Sequence, residues 1–331
     1  MATPISQAAS DYEPRTRPSR MAICIAVVAA ALIVLPLVLP SYQVSLATQI
    51  LIFSVLAMSI DVLAGYAGRT TLGHGAIFGT STYVVIYWTA VLGGSVWIGI
   101  ALGILAATLL AALFALLAIR TSGVYFLLLT LALGMIVWGL CLRWTSVTGG
   151  ENGLRGNGRP EFIADHVSFY YAVLLVVAPV TLAMWRFVHS PFGLTLRGIR
   201  DSESRMRSLG YNVPLHLFIA FVASGFFAGV AGALYALFNN FVSPSTVQLS
   251  QSVTALLMAI TGGVGTLLGS FVGATLIISL ENAVSAFTAR WPTVLGITFV
   301  LIMIFAPEGV VGRISIVLAR RHKRQSSRSL N

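Results

Sequence analysis

The side chains in this sequence that could ligate a metal, attack a bond or carry a proton are few, and they are not spaced to act together. His74, His166, His189, His216 and His322 show no metal-ligand spacing. Cys24 and Cys141 each sit inside an apolar run, where a thiol behaves as a small hydrophobe. Neither a GxSxG turn, an HExxH helix nor a pair of carboxylates on one helical face occurs, which speaks against a membrane-embedded hydrolase. The only lysine, Lys323, lies in the C-terminal tail. A phosphate-binding P-loop needs a Gly-rich turn that ends in Lys, so the chain is no P-loop ATPase, and any ATP that drives it is bound by another subunit. Asp61 is the one acid well inside a strongly apolar run, thin support for a self-sufficient secondary transporter or channel.

What must position these residues is a membrane. The 331-residue chain is 57% hydrophobic and only 9% charged, with a mean hydropathy of +0.90, whereas about a quarter of residues in soluble domains are charged. The expected fold class is all-α, a polytopic transmembrane helix bundle. Apolar runs lie near 21–39, 43–64, 72–92, 96–119, 124–142, 168–188, 215–240, 247–261, 264–280 and 291–306. That makes about ten candidate spans, most near the ~20 residues that cross a bilayer. The weakest, 247–261 and 264–280, read either as two broken spans or as a re-entrant pair.

Cytoplasmic loops hold the excess of Arg and Lys, and this sets the expected orientation. With the N-terminus inside, the cytoplasmic segments carry Arg15, Arg17 and Arg20, then Arg69, Arg120, Arg186 through Arg207, and Arg313 through Arg328. The outer loop 143–167 balances Arg143, Arg155 and Arg159 against Glu151, Glu161 and Asp165. Both termini are then cytoplasmic. The chain divides into a polar tail at 1–20, a transmembrane domain at 21–312 and a basic tail at 313–331. The first apolar run reads as an uncleaved span. Net charge +10 is scattered over loops with no soluble face to collect it, so it implies contact with anionic lipid and no nucleic-acid partner.

The segment 190–213 interrupts the apolar runs. Leu196, Ile199, Met206 and Leu209 recur at helical spacing, with Arg197, Arg200, Asp201, Arg205 and Arg207 on other faces. That pattern predicts a short amphipathic helix, entered through Pro191 and Gly193 and ended at Gly210. Such a helix rests either on lipid headgroups or in a partner's groove; Glu203 on its apolar stripe suits lipid poorly. Small residues recur at four-residue spacing, including Gly75 and Gly79, Gly99 and Gly103, Gly225 and Gly229, and Gly265, Gly269 and Gly273. This is the pattern of closely packed transmembrane helices.

The stretches GYAGRTTLGHGAIFG at 65–79, YFLLLTLALGMIVW at 125–138, TSVTGGENGL at 145–154, AITGGVGTLLGSFVGA at 259–274 and FAPEGVVG at 305–312 occur in a telling order. With the 190–213 loop between them, the chain resembles the membrane permease subunits of ABC importers of the branched-chain amino acid type, from about its second span to Gly312.

The resemblance implies a heterodimer with a second, related permease in the bacterial inner membrane. It also implies a periplasmic solute-binding protein, two cytoplasmic ATPase subunits that hold Mg-ATP, and no cofactor in this chain. The solute would be a branched-chain or related amino acid, with urea or an amide as the alternative. The 190–213 helix would then dock in a groove of the ATPase through Pro191, Gly193, Leu196, Arg197, Ile199, Arg200, Glu203, Met206, Leu209 and Gly210. Candidates for the translocation path are Thr71, His74 and Gly75, Thr130, and Thr261, Gly262, Gly263 and Gly265. Where the family usually has Asn and Gln, this chain has Asp61 and Arg69. An acid and a base flanking one GYAG turn either pair with each other beside the cytoplasmic gate, or stand apart with Asp61 hydrated at the interface and Arg69 as a topology signal.

Overall fold

The computed structural model describes residues 31–288, 291–305 and 309. The two expected tails, Cys24 and most of the FAPEGVVG stretch lie outside the described residues. Helix α1, Ser41–Asp61, is extended by a π-helical turn through Tyr66. It is followed by α2, His74–Ile86, with its own π-helical turn to Val91, then α3, Val96–Ala118, and α4, Val124–Arg143. After a loop come α5, His166–His189, the short α6, Pro191–Asp201, and α7, Glu203–Ser208. The chain continues through α8, Val213–Asn239, α9, Leu249–Gly262, α10, Gly269–Ser285, and α11, Trp291–Phe305. Five of these segments are long and apolar enough to cross a membrane: Ser41–Tyr66, Val96–Ala118, Val124–Arg143, His166–His189 and Val213–Asn239. The chain is a nearly all-α, multi-pass bundle.

Burial separates inner from outer helices. Every residue of α1 from Leu51 to Asp61 is buried, and α8 is enclosed along most of its length. In α3, by contrast, Gly99, Gly103, Ala107, Ala111 and Ala115 form one buried stripe, while Leu105, Leu109, Leu113 and Leu116 point outward. The four-residue spacing of small residues explains the stripe, because the absence of bulk lets backbones approach. A β-carbon at Gly225 of α8 would meet that of Ala111, and one at Gly229 would lie 2.7 Å from that of Ala107. Polar ties then fix α2 against α8: Ser81 donates to the Gly229 carbonyl at 2.7 Å and Thr82 to the Gly232 carbonyl at 2.9 Å.

The weak pair of runs forms a helical hairpin, α9 and α10, packed so closely that a β-carbon at Gly262, Gly269 or Gly273 would strike backbone of the facing helix. Its second arm runs antiparallel to α1 for nearly the full length of both. Tyr42 touches Asn282 at 3.4 Å at one end, and Leu267 donates to Asp61 at 2.9 Å at the other. The first arm, α9, is shorter at 14 residues, and near its start Ser252 accepts from the Gly75 amide of α2.

The two ends of α8, about 40 Å apart at 1.5 Å per residue, carry different structures. At its C-terminal end, Leu154–Arg155 and Phe241–Val242 pair as a small antiparallel ribbon, with Leu154 opposite Val242. Arg159 donates to the Leu237 and Phe238 carbonyls, each at 3.0 Å, and its guanidinium lies 4.1 Å above the Phe169 ring. At the N-terminal end of α8 lie α6, α7, the 65–69 turn and the apex of the α9–α10 hairpin.

Candidate functional site

The segment 190–213 folds as two helices, α6 and α7, instead of one. Ser190 caps α6, accepting from the Gly193 amide at 3.3 Å, and Pro191 takes the first helical position, where its missing N–H does no harm. Gly193 is needed because a β-carbon there would strike the Val188 carbonyl. Ser202 is extended and its side chain accepts from the Arg205 amide at 3.4 Å, so it ends one helix and caps the next. Gly210, at φ 87°, follows the last turn in the left-handed region that favours glycine.

The expected apolar docking stripe needs correction. Leu196, Ile199 and Met206 are buried within the chain's own bundle, while Leu209 is 67% exposed. The three buried side chains seat α6 and α7 on the protein; Leu194, Leu209 and Tyr211 are what these helices present outward. Glu203 also turns inward: it forms an ion pair with Arg69 and a second, 3.6 Å contact with Arg207. The sequence pattern found the amphipathic face correctly. It could not tell a partner's groove from the groove between the chain's own helices, since both take the same apolar stripe.

The Asp61–Arg69 pair, one of the two readings of these residues, is likewise replaced. Arg69 is 6% exposed; besides pairing with Glu203 it donates to the Thr121 carbonyl at 2.8 Å, and its guanidinium lies 5.7 Å from the Phe126 ring centre. The fully buried Asp61 carboxylate accepts from the Gly265 amide at 2.6 Å and the Leu267 amide at 2.9 Å. The backbone donors at the hairpin apex bond this carboxylate directly, and the Arg200 guanidinium nearby adds an opposite charge. Arg200 completes the cluster: it donates to the Gly65 carbonyl at 2.6 Å and lies over Gly68, whose β-carbon would stand 2.7 Å from Arg200 Cγ. Arg197 lies 5.0 Å from the Tyr66 ring centre. Three arginines and two acids thus tie α6, α7, the end of α1, the α3–α4 connection and the hairpin apex together.

The candidate path residues fall into two buried groups on either side of the end of α1. In one, the Leu72 amide donates to Thr130 Oγ1 and the Gly73 amide to Thr71 Oγ1, both at 3.1 Å. His74 Nε2 meets Ser224 Oγ at 2.7 Å, Ser224 donates to the Ser59 carbonyl, and the Gly75 amide donates to Ser252 Oγ at 2.8 Å. The other group is the apex, with Thr261, Gly262 and Gly263 buried and Gly265 against Gly65. Thr71, His74, Thr130 and Thr261 are all fully buried. Ser224 and Ser252 were missed from the sequence, and a hydroxyl in an otherwise apolar helix is the signal that marks them; Ser59 contributes only its backbone carbonyl. Among the described residues no three His, Cys, Asp or Glu side chains gather as metal ligands.

A family model described as the branched-chain amino acid transport system / permease component matches residues 42–307. The chain is 27% identical to the high-affinity branched-chain amino acid transport system permease protein LivM of Salmonella typhimurium, over 83% of this chain and 71% of that protein. It is 23% identical to the permease protein LivH of Escherichia coli K12, over 79% of this chain and 91% of the relative. Similarity also extends to the autoinducer 2 import system permease protein LsrC of Klebsiella pneumoniae, 26% identical over 45% of this chain and 44% of that one. No solved structure matches.

Proposed function

Because the chain belongs to the family of branched-chain amino acid transport system permease components, we propose that it forms half of the translocation path of an ATP-driven importer. The solute is a branched-chain amino acid or a related small polar molecule. In this reading the chain sits in the bacterial inner membrane beside a second, related permease and takes solute from a periplasmic binding protein. Two cytoplasmic subunits bind and hydrolyse Mg-ATP. Both termini, α6 and α7 face the cytoplasm, and the ribbon end faces the periplasm. Relatives with both the LivM and the LivH name support a paired permease.

The observation that carries this reading is how α6 and α7 are held. Their buried side chains and their charged groups grip the bundle at the 65–69 turn, while Leu194, Leu209 and Tyr211 are left outward as an apolar surface for the ATPase. The test is Leu194→Asp with Leu209→Asp, which places charge in the docking contact while leaving the bundle's interior untouched. The double variant should fold, fail to pull down its ATPase and lose uptake. Normal pull-down and uptake would remove the assignment. The LsrC likeness keeps the solute class wider than amino acids; uptake of leucine, urea and an amide in parallel decides among them.

A further inference from the structure

We propose that Asp61 is a positioning residue of the transport cycle: its carboxylate latches the 263–268 apex of the α9–α10 hairpin against α1, and movement of α6 and α7 releases it. This rests on the coupling role given above to α6 and α7. The latch itself rests on three further observations.

The apex is held in part from within, where Thr266 donates from its amide at 3.1 Å and its hydroxyl at 2.6 Å to the Gly263 carbonyl, but its backbone is strained. Gly263 and Gly265 have φ of 115° and 82°, and Leu267 has φ 38°, a left-handed conformation in which a branched, non-glycine side chain is disfavoured. Such a conformation persists where its surroundings over-determine it. Here the Asp61 carboxylate accepts from the amides of Gly265 and of Leu267, one oxygen to each.

The latch also has two positions and little in between. Asp61 is fully buried. If the apex withdrew without admitting water, the carboxylate would lose both donors and stand desolvated, which is strongly unfavourable. The apex is therefore either docked on Asp61 or withdrawn far enough for water to replace its amides. A bistable element of this kind turns a small displacement into a discrete change.

Finally, the cytoplasmic helices reach both halves of the latch. Arg200 of α6 donates to the Gly65 carbonyl, one turn beyond Asp61, and its Nη1 stands 3.8 Å from where a β-carbon on Gly265 would be. Glu203 of α7 holds Arg69, and Arg69 holds the Thr121 carbonyl. A shift of α6 and α7 draws on the 65–69 turn and loosens the apex at the same time.

The experiment uses the intact importer, reconstituted with its ATPase subunits and binding protein, and follows hydrogen exchange in the peptide that covers residues 263–268. In the wild type this peptide should be protected at rest and exchange about tenfold faster or more when a non-hydrolysable ATP analogue is bound. In Asp61→Leu, a side chain of similar size removes both acceptors. Exchange should then be fast with and without nucleotide, uptake should fall about tenfold or more, and the ATPase should still co-purify. Wild-type exchange at 263–268 that ignores nucleotide overturns the latch, and this arm needs no variant to fold. So does Asp61→Leu that folds, retains its ATPase and keeps both protection and uptake. A wild-type permease that fails to retain its ATPase overturns the coupling role instead, so the two failures are told apart.

Discussion

The two ends of α8 are both held by arginine, but in ways that lead to opposite mechanical behaviour. At the ribbon end, Arg159 caps the carbonyls of Leu237 and Phe238 and stacks on Phe169. Both carbonyls belong to the end of one helix, so we read this contact as a clamp. At the α6–α7 end, Arg69 and Arg200 meet a carboxylate and a carbonyl that belong to elements over a hundred residues apart in sequence. Asp61 meets amides 204 and 206 residues away. Contacts between separately moving elements can be exchanged for water without unfolding either one. On the proposed mechanism, one end stays and the other changes.

The sharpest way to break this contrast is to remove the hairpin from the changing end. Gly273→Leu forces a side chain into the Met258 carbonyl, and overpacking of that kind costs about 3 kcal/mol. The expected outcome is loss of the monodisperse, folded species in detergent chromatography; a normal elution profile would mean that α9 and α10 are not locked. Next in size is the clamp. Arg159→Ala leaves two helix-end carbonyls without their donor and removes the cation–π contact, a loss of about 2 kcal/mol. Thermal unfolding should register it, and uptake should decline only in proportion to folded protein. Uptake lost at full stability would show that the ribbon end moves too. The smallest effect on folding is expected at the half-buried pair: Arg69→Gln and Glu203→Gln should show a coupling of about 1 kcal/mol in a double-mutant cycle on stability. Uptake should fall more than stability does. Losses that simply add would deny the pair a joint role.

The bundle itself was legible because a helix in lipid must satisfy its backbone internally and cover itself with ~20 apolar residues. The α3 stripe and its Gly225 and Gly229 partners could be read from four-residue spacing alone, since that spacing puts small residues on one helical face. Pro191, Gly193 and Gly210 were found where they fell because caps and left-handed turns are local. The hydroxyls that bond the candidate path residues, those of Ser224 and Ser252, were not found, because a lone hydroxyl has no periodic signature.

What the sequence determined by itself, then, is whatever depends on neighbours within a turn or two along the chain: membrane residence, the helix ends, the small-residue stripes and the amphipathic character of 190–213. Only the tertiary structure decided which groove takes the apolar face of that segment, and which partner each charge finds. Asp61 and Arg69 are close in sequence, and a pair between them was one of two readings. Packing instead brings the apex amides to Asp61 and Glu203 to Arg69. The reason is physical: a buried carboxylate is satisfied by any correctly aimed donors, and in a folded bundle those donors come from whichever backbone approaches, not from the nearest residue in sequence.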